Sequence, residues 1–141
     1  MPAMAAVTPD KRAELATYFE GRPEIVFAFL YGSHARGTAT KLSDVDVAVY
    51  FRPLTGTLDY QSDTEYSTEY EVWAGLERIL KTDVELLVLN RASPNVAASA
   101  LRGVALSIKD WGLYVDFMLY STLEAEEYRE ETLRDFMREQ T

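Results

Sequence analysis

The chain contains no cysteine, which excludes disulfides and thiolate-held metals and suits a reducing cytoplasm. Basic residues are scarce: 14 Lys and Arg stand against 23 Asp and Glu, for a formal net charge of -9. That deficit argues against a nucleic-acid backbone as the main ligand, because such binding rests on lysine and arginine neutralising phosphates. A basic protein partner is easier to accommodate, and a nucleotide would enter as its metal complex. Long apolar runs are also missing. The longest, Ile25 to Tyr31, is too short to span a membrane. Met1 to Val7 shows no basic region followed by an apolar segment, so no signal peptide is expected there. There is no internal repeat and no low-complexity segment.

What is present is ordinary for a globular protein: 141 residues, 48% hydrophobic and 26% charged. This composition predicts one domain over 1–141, with a core of about 8–110 and a helical extension of about 111–141. Thr8 as N-cap and Pro9 at the first helical position open a helix to about Glu20, with Leu15, Ala16 and Phe19 as its buried stripe. Gly21 and Pro23 end it, and Glu24 to Tyr31 reads as a buried strand. Ser43 to Phe51 is a second strand. Arg52 to Ser62 is a loop long enough to form a mobile flap. Thr64 to Lys81 is an amphipathic helix carrying Val72, Trp73, Leu76, Ile79 and Leu80, with Trp73 in the core. A third strand over Asp83 to Leu89, a helix from Ser93 to about Leu101, an edge strand at Val104 to Ile108 and a long helix from Trp111 to Glu139 complete the reading. Helices interleaved with strands in this way predict an α/β (α+β) fold with a small mixed sheet.

The chemistry concentrates between the first two strands. Gly32 and Ser33 are followed by ten residues and then by Asp44, Val45 and Asp46. Strand side chains alternate, so Asp44 and Asp46 share a face with Ala48 and Tyr50, while Val45, Val47, Val49 and Phe51 form the opposite, core face. Two carboxylates held together repel unless a divalent cation sits between them. A Gly-Ser turn leaving a strand presents backbone N–H groups and a hydroxyl to phosphate oxygens. A phosphate cradle beside a paired carboxylate is the minimum equipment for nucleotidyl transfer.

The string Gly32-Ser33-His34-Ala35-Arg36-Gly37, with Asp44-Val45-Asp46 after it, resembles the nucleotidyltransferase superfamily that includes DNA polymerase beta. It is most similar to the minimal nucleotidyltransferase (MNT) branch, the MntA-type antitoxins, over residues 24–110 in order of elements. The resemblance implies a polymerase-beta-like fold and a third carboxylate on a later strand. Asp83 and Glu85 both qualify by alternation, and the family pattern falls on Glu85, where most relatives carry Asp. It further implies that Asp44, Asp46 and Glu85 hold Mg²⁺, that Gly32, Ser33 and Arg36 contact the phosphates of ATP, and that Glu85 serves as base or ligand. His34 reads as a solvent-facing spacer residue, and Tyr60, Tyr66 or Tyr70 near the flap is a candidate for stacking on a base.

By the same resemblance the partner is a HEPN-domain ribonuclease toxin of the HepT kind. The activity implied is transfer of AMP from ATP to a tyrosine hydroxyl on that toxin, as in type VII toxin–antitoxin systems. One alternative is an antitoxin that works by binding alone, with the long C-terminal helix as its contact. Another is a small-molecule nucleotidyltransferase of the aminoglycoside-modifying sort, disfavoured by the short stretch left after the third strand. Template-directed polymerisation lacks the basic appendage it would need.

Overall fold

The computed structural model describes residues 7–40 and 43–140. Residues 1–6, on which the leader reading largely rests, and Lys41 and Leu42 of the spacer lie outside the described residues. The element order is α1 (Pro9–Glu20), β1 (Ile25–Tyr31), α2 (Ser33–Arg36), β2 (Val45–Phe51), α3 (Glu69–Leu80), β3 (Val84–Val88), a 3-10 turn (Leu89–Arg91), α4 (Pro94–Ala100), β4 (Val104–Ile108) and α5 (Trp111–Glu139). Thr8 caps α1 as its sequence requires, its hydroxyl accepting from the Lys11 N–H at 3.2 Å with Pro9 following.

The four strands lie in the order β3-β2-β1-β4. β1 runs antiparallel to β2 and to β4, while β2 and β3 are parallel, so the sheet is mixed. One face carries Ala28, Leu30, Val45, Val47, Val49 and Phe51 against Leu15 and Phe19 of α1 and Val72 and Leu76 of α3. The other carries Phe27, Phe29, Ala48 and Tyr50 against Ala97 and Ala100 of α4 and Phe117 of α5. The central strands β1 and β2 are therefore buried on both sides, which explains why β1 is apolar without alternation. It also means that the acid-bearing face of β2 becomes core two residues beyond Asp46.

Three expectations need correction. The helix expected from Thr64 starts at Glu69. Tyr66 instead stacks on Phe51 with centroids 4.7 Å apart, and Arg91 donates to the Thr64 carbonyl at 2.8 Å, so residues 62–66 are drawn onto the sheet rather than into a helix. The loop after β2 is tethered rather than free: the Tyr50 hydroxyl donates to the Asp59 carbonyl and accepts from its N–H, both at 2.8 Å, and Tyr60 stacks on Tyr120. Trp73 lies at the margin of the core, half-buried, where its indole N–H donates to the Val84 carbonyl at 2.8 Å and so steadies the start of β3.

Candidate active site

The site sits where β1 ends and β2 and β3 begin. Gly32 adopts φ 73° and ψ -153°, and α2 follows at once, with the N–H groups of Ala35 and Arg36 both donating to the Gly32 carbonyl at 3.1 Å. Gly37, at φ 76° and ψ 16°, closes α2 in the left-handed region that glycine enters without strain. Gly32 is required for a second reason: a Cβ there would stand 2.2 Å from Asp46 Oδ2. The cradle turn and the carboxylate are thus in van der Waals contact, and only a hydrogen in place of a side chain permits it.

Register builds the rest. Asp46 pairs with Tyr31 across the antiparallel ladder and with Glu85 across the parallel one, which aligns Tyr31, Asp46 and Glu85 in a row over three strands. The Asp46 carboxyl is pushed up from the ordinary carboxylate range, chiefly by burial, then by the charge and hydrogen bond of Glu85 and the charge of Asp44. The Tyr31 hydroxyl is pushed up to about 12, again by burial first and then by Asp46 and Glu85. Asp83 is placed differently. It lies before β3, and its carbonyl accepts from the Val45 N–H at 3.0 Å, fixing the start of the β2–β3 ladder. Of the two candidates for a third acid, Glu85 is the one brought beside Asp46.

Asp44 precedes β2 and is exposed, as is Glu85, whereas Asp46 is half-buried. Among the described residues no three His, Asp or Glu side chains are already gathered into a closed coordination set. The donors that are present suit a hard divalent cation nonetheless. All are carboxylate oxygens, Asp46 and Glu85 crowd each other, and an open shell leaves room for waters and substrate phosphates, which Mg²⁺ characteristically keeps.

His34 departs from expectation. It is buried at 4% exposure, and its Nε2 lies 3.2 Å from the Ser43 carbonyl. A carbonyl only accepts, so Nε2 carries a proton, and the ring ties α2 to the residue just before Asp44. The Coulombic influence of His34 on Asp46 opposes the upward push. Only position-by-position geometry reveals this, since a lone histidine inside a polar spacer gives no periodic signal. Tyr31 was legible in principle, as the register partner of an acid on the next strand. Arg36 is exposed on α2, and Ser33 opens that helix half-buried. Of the flap tyrosines, Tyr66 is committed to the core and Tyr60 to Tyr120, leaving Tyr70 exposed on α3 against Trp73.

A turn that can cradle phosphate, pressed onto an acid pair at the edge of a mixed sheet, defines a nucleotidyltransferase. The chain belongs to the family described as Polymerase beta, Nucleotidyltransferase, whose model matches residues 13–111. No curated protein matches it in sequence. Among solved structures it is similar to a toxin-antitoxin crystal structure with AMP-PNP, at 19% identity and a TM-score of 0.66, covering 94% of this chain and 99% of that one. It is also similar to the complex of a tri-AMPylated HEPN toxin with its MNT antitoxin from Shewanella oneidensis, at 16% identity and a TM-score of 0.60, covering 92% and 99%. A structure described as a putative minimal nucleotidyltransferase aligns at 23% identity and a TM-score of 0.53, covering 74% and 97%. At these identities the likeness is one of fold. No helix among the described residues is long and apolar enough to cross a membrane.

Proposed function

We propose that the chain is an MntA-type antitoxin that transfers AMP from ATP to a tyrosine hydroxyl of a HEPN-domain ribonuclease toxin and thereby inactivates it. The observation that carries the chemistry is the contact of Gly32 with Asp46, with Glu85 in register beside it. The acceptor and partner are supported by the toxin-antitoxin complexes that share the fold, one with AMP-PNP and one with an AMPylated HEPN toxin. An acidic surface suits a basic partner, and a chain without cysteine suits the cytoplasm, where ATP and the toxin's RNA substrate are found.

In the proposed reaction the tyrosine oxygen attacks the α-phosphorus of ATP. A phosphorus–oxygen bond forms there, the bond from that phosphorus to the bridging oxygen breaks, and pyrophosphate leaves with the electron pair. Gly32 lets the backbone approach the phosphates, and Ser33 with the first N–H groups of α2 binds their oxygens. Arg36 adds a fork of donors that matches phosphate geometry. Glu85, exposed beside Asp46, accepts the proton of the attacking hydroxyl or joins the ligand set. Asp44, Asp46 and Glu85 would hold Mg²⁺, which when bound supplies charge neutralisation for the phosphates and the departing pyrophosphate.

The test is direct: with Mg²⁺ and α-labelled ATP, the protein labels a co-purified HEPN partner, whereas the variant carrying Asp44→Asn and Asp46→Asn does not. Labelling that survives the double substitution overturns the mechanism.

A second reading, neutralisation by binding, has one observation in its favour. α5 is 29 residues long, yet none after Ala125 is buried, and Tyr128, Leu133, Phe136 and Met137 stand exposed among acids. On that reading the double Asp variant still neutralises the toxin, and truncation after Leu123 abolishes binding while transfer chemistry on a small acceptor continues.

A further inference from the structure

The sheet topology delivers a fourth segment to the site. β1 ends at Tyr31 where β2 and β3 begin, and because β4 is antiparallel to β1 it also begins at that edge, with Val104 paired to Leu30. The turn from α4 into β4 therefore lands beside Gly32 and α2. Between them opens a cavity of about 510 Å³, walled by Tyr31, Gly32 and Arg36 on one side and by Ser99, Arg102 and Gly103 on the other.

Two arginines from separate elements line this cavity. Both are exposed, and neither has a carboxylate partner among the described residues. In a chain with 23 acids and 14 basic residues, unpaired guanidinium groups on both walls of one cavity are not accounted for by the protein's own charges. Like charges sharing a cavity repel, and an anion between them reverses that cost.

The second wall is also rigidly placed. A Cβ on Gly103 would stand 2.1 Å from the Leu30 carbonyl oxygen, so the turn lies directly on the end of β1. The Gly103 N–H donates to the Ala100 carbonyl at 3.0 Å and the Arg102 N–H to the Ser99 carbonyl at 3.2 Å. Arg102 is thus anchored on both sides, by the last turn of α4 and by the β1–β4 ladder.

We infer that Arg102 is a second phosphate-gripping residue, holding the β- and γ-phosphates of a nucleoside triphosphate across the cavity from Arg36, with the Ser99 hydroxyl as a further donor. The inference rests on the nucleotidyl-transfer reading and deepens it. A paired guanidinium grip acts on the terminal phosphates and on departing pyrophosphate, and leaves the α-phosphate to the carboxylate end of the site. It therefore selects triphosphate over monophosphate.

Calorimetric titration of the full-length protein with AMP-PNP and with AMP, in Mg²⁺, tests it. Arg102→Ala weakens AMP-PNP binding about tenfold or more, the loss expected for hydrogen bonds to a charged group, and changes AMP binding less than about twofold. Arg102→Lys falls between, since lysine keeps the charge without the fork. Arg102 is exposed, so both variants keep the wild-type melting temperature. Equal AMP-PNP affinity in wild type and Arg102→Ala, with Arg36→Ala weakened, overturns the inference and leaves the nucleotide reading standing. Equal weakening for AMP and AMP-PNP overturns the assignment to the terminal phosphates. Absence of AMP-PNP binding to the wild type overturns the nucleotide reading and this inference with it.

Discussion

Replacing Gly32 with alanine probes the site with a single methyl group. The backbone there, at φ 73° and ψ -153°, belongs to a region open almost only to glycine, and a side chain pays about 1–3 kcal/mol to enter it. The added Cβ would also meet Asp46 Oδ2 at 2.2 Å and Cγ at 3.1 Å. Overpacking of this kind costs about 1–3 kcal/mol, and because the obstacle is the movable end of a half-buried side chain, the low end applies. The expected loss is about 2–4 kcal/mol in total.

The two contributions separate in a double-mutant cycle. Asp46→Ala removes Cγ and both oxygens and leaves only a Cβ, which lies 3.4 Å from the added methyl, so Gly32→Ala then costs only its backbone share of about 1–3 kcal/mol. A coupling of about 1 kcal/mol between the two substitutions follows. Urea unfolding of the four proteins in chelator, followed by fluorescence of the two tryptophans, measures it. In the Asp46-containing background the displaced carboxylate should also lower Mg²⁺-dependent transfer about 100-fold, the usual consequence of misplacing a reacting group by about 1 Å. A cycle that is additive within error would refute the packing of Asp46 on Gly32, and full activity in Gly32→Ala would refute its importance.

Further expectations rest on separate contacts. Glu85→Gln lowers transfer about 100-fold or more, the typical worth of a lost general base, while Asp83→Asn leaves it nearly unchanged; the reverse order would reassign the third acid. In Glu85→Gln the Asp46 carboxyl also titrates nearer its ordinary range, which carboxyl NMR can follow, because one of the charges raising it is gone. The Glu69 carboxyl is held below its ordinary value, foremost by its hydrogen bonds to Arg91 at 2.6 and 2.7 Å. A depressed folded-state value means that this stabilisation is complete above the unfolded carboxyl range and is lost as pH falls through the folded value. Melting temperatures of Glu69→Gln should therefore fall less steeply than wild type on acidification, with a deficit at pH 7 of about 1–2 kcal/mol for a pair that is partly exposed. Asn90 is fully buried and clasps Phe51 from both directions, Oδ1 accepting from its N–H at 2.9 Å and Nδ2 donating to its carbonyl at 3.0 Å. Asn90→Leu strands both groups and should cost about 2–4 kcal/mol in chemical denaturation; a loss below about 1 kcal/mol would show that they find other partners.

Local signals in the chain carried most of the element list. Pro9 after Thr8, Pro94 after Ser93 and the apolar run Ile25 to Tyr31 each work within a few residues, and the helices and strands they mark are found where the chemistry puts them. What failed was tertiary in origin. The residues before α3 have fair helix formers in Glu65 and Tyr66, but the stacking of Tyr66 on Phe51 and the donation of Arg91 to Thr64 outweigh a single extra helical turn. His34 looked solvent-facing because its neighbours in sequence are polar, whereas it is buried at 4% exposure with Nε2 bonded to the Ser43 carbonyl. Asn90 ends an apolar strand and reads as a stop signal, and its partner Phe51 lies 39 residues away. The choice between Asp83 and Glu85 could not be made by alternation, which gives both the same face. The family pattern favoured Glu85, and the parallel register brings Glu85 opposite Asp46.

That register also shows which feature of the opening motif the chemistry depends on. The described residues between His34 and Ser43 are tied down at several points: α2 is capped by Gly37, the Thr38 N–H returns to the Ser33 carbonyl at 2.9 Å, and His34 holds the Ser43 carbonyl. None of these contacts sets the position of Asp46. It is set by the ladder, since Tyr31 pairs with Asp46 as the last step of a register that begins at Phe27 and Tyr50 and is gripped on both faces by core. Gly32 follows Tyr31 by one residue and so must meet Asp46. Spacer length is then a consequence of returning the chain to that register through one helical turn. The turn proposed to cradle phosphate and the acid proposed to serve it are placed by the same hydrogen-bonded pair of strands, and the sheet that buries the core thereby also brings the two together.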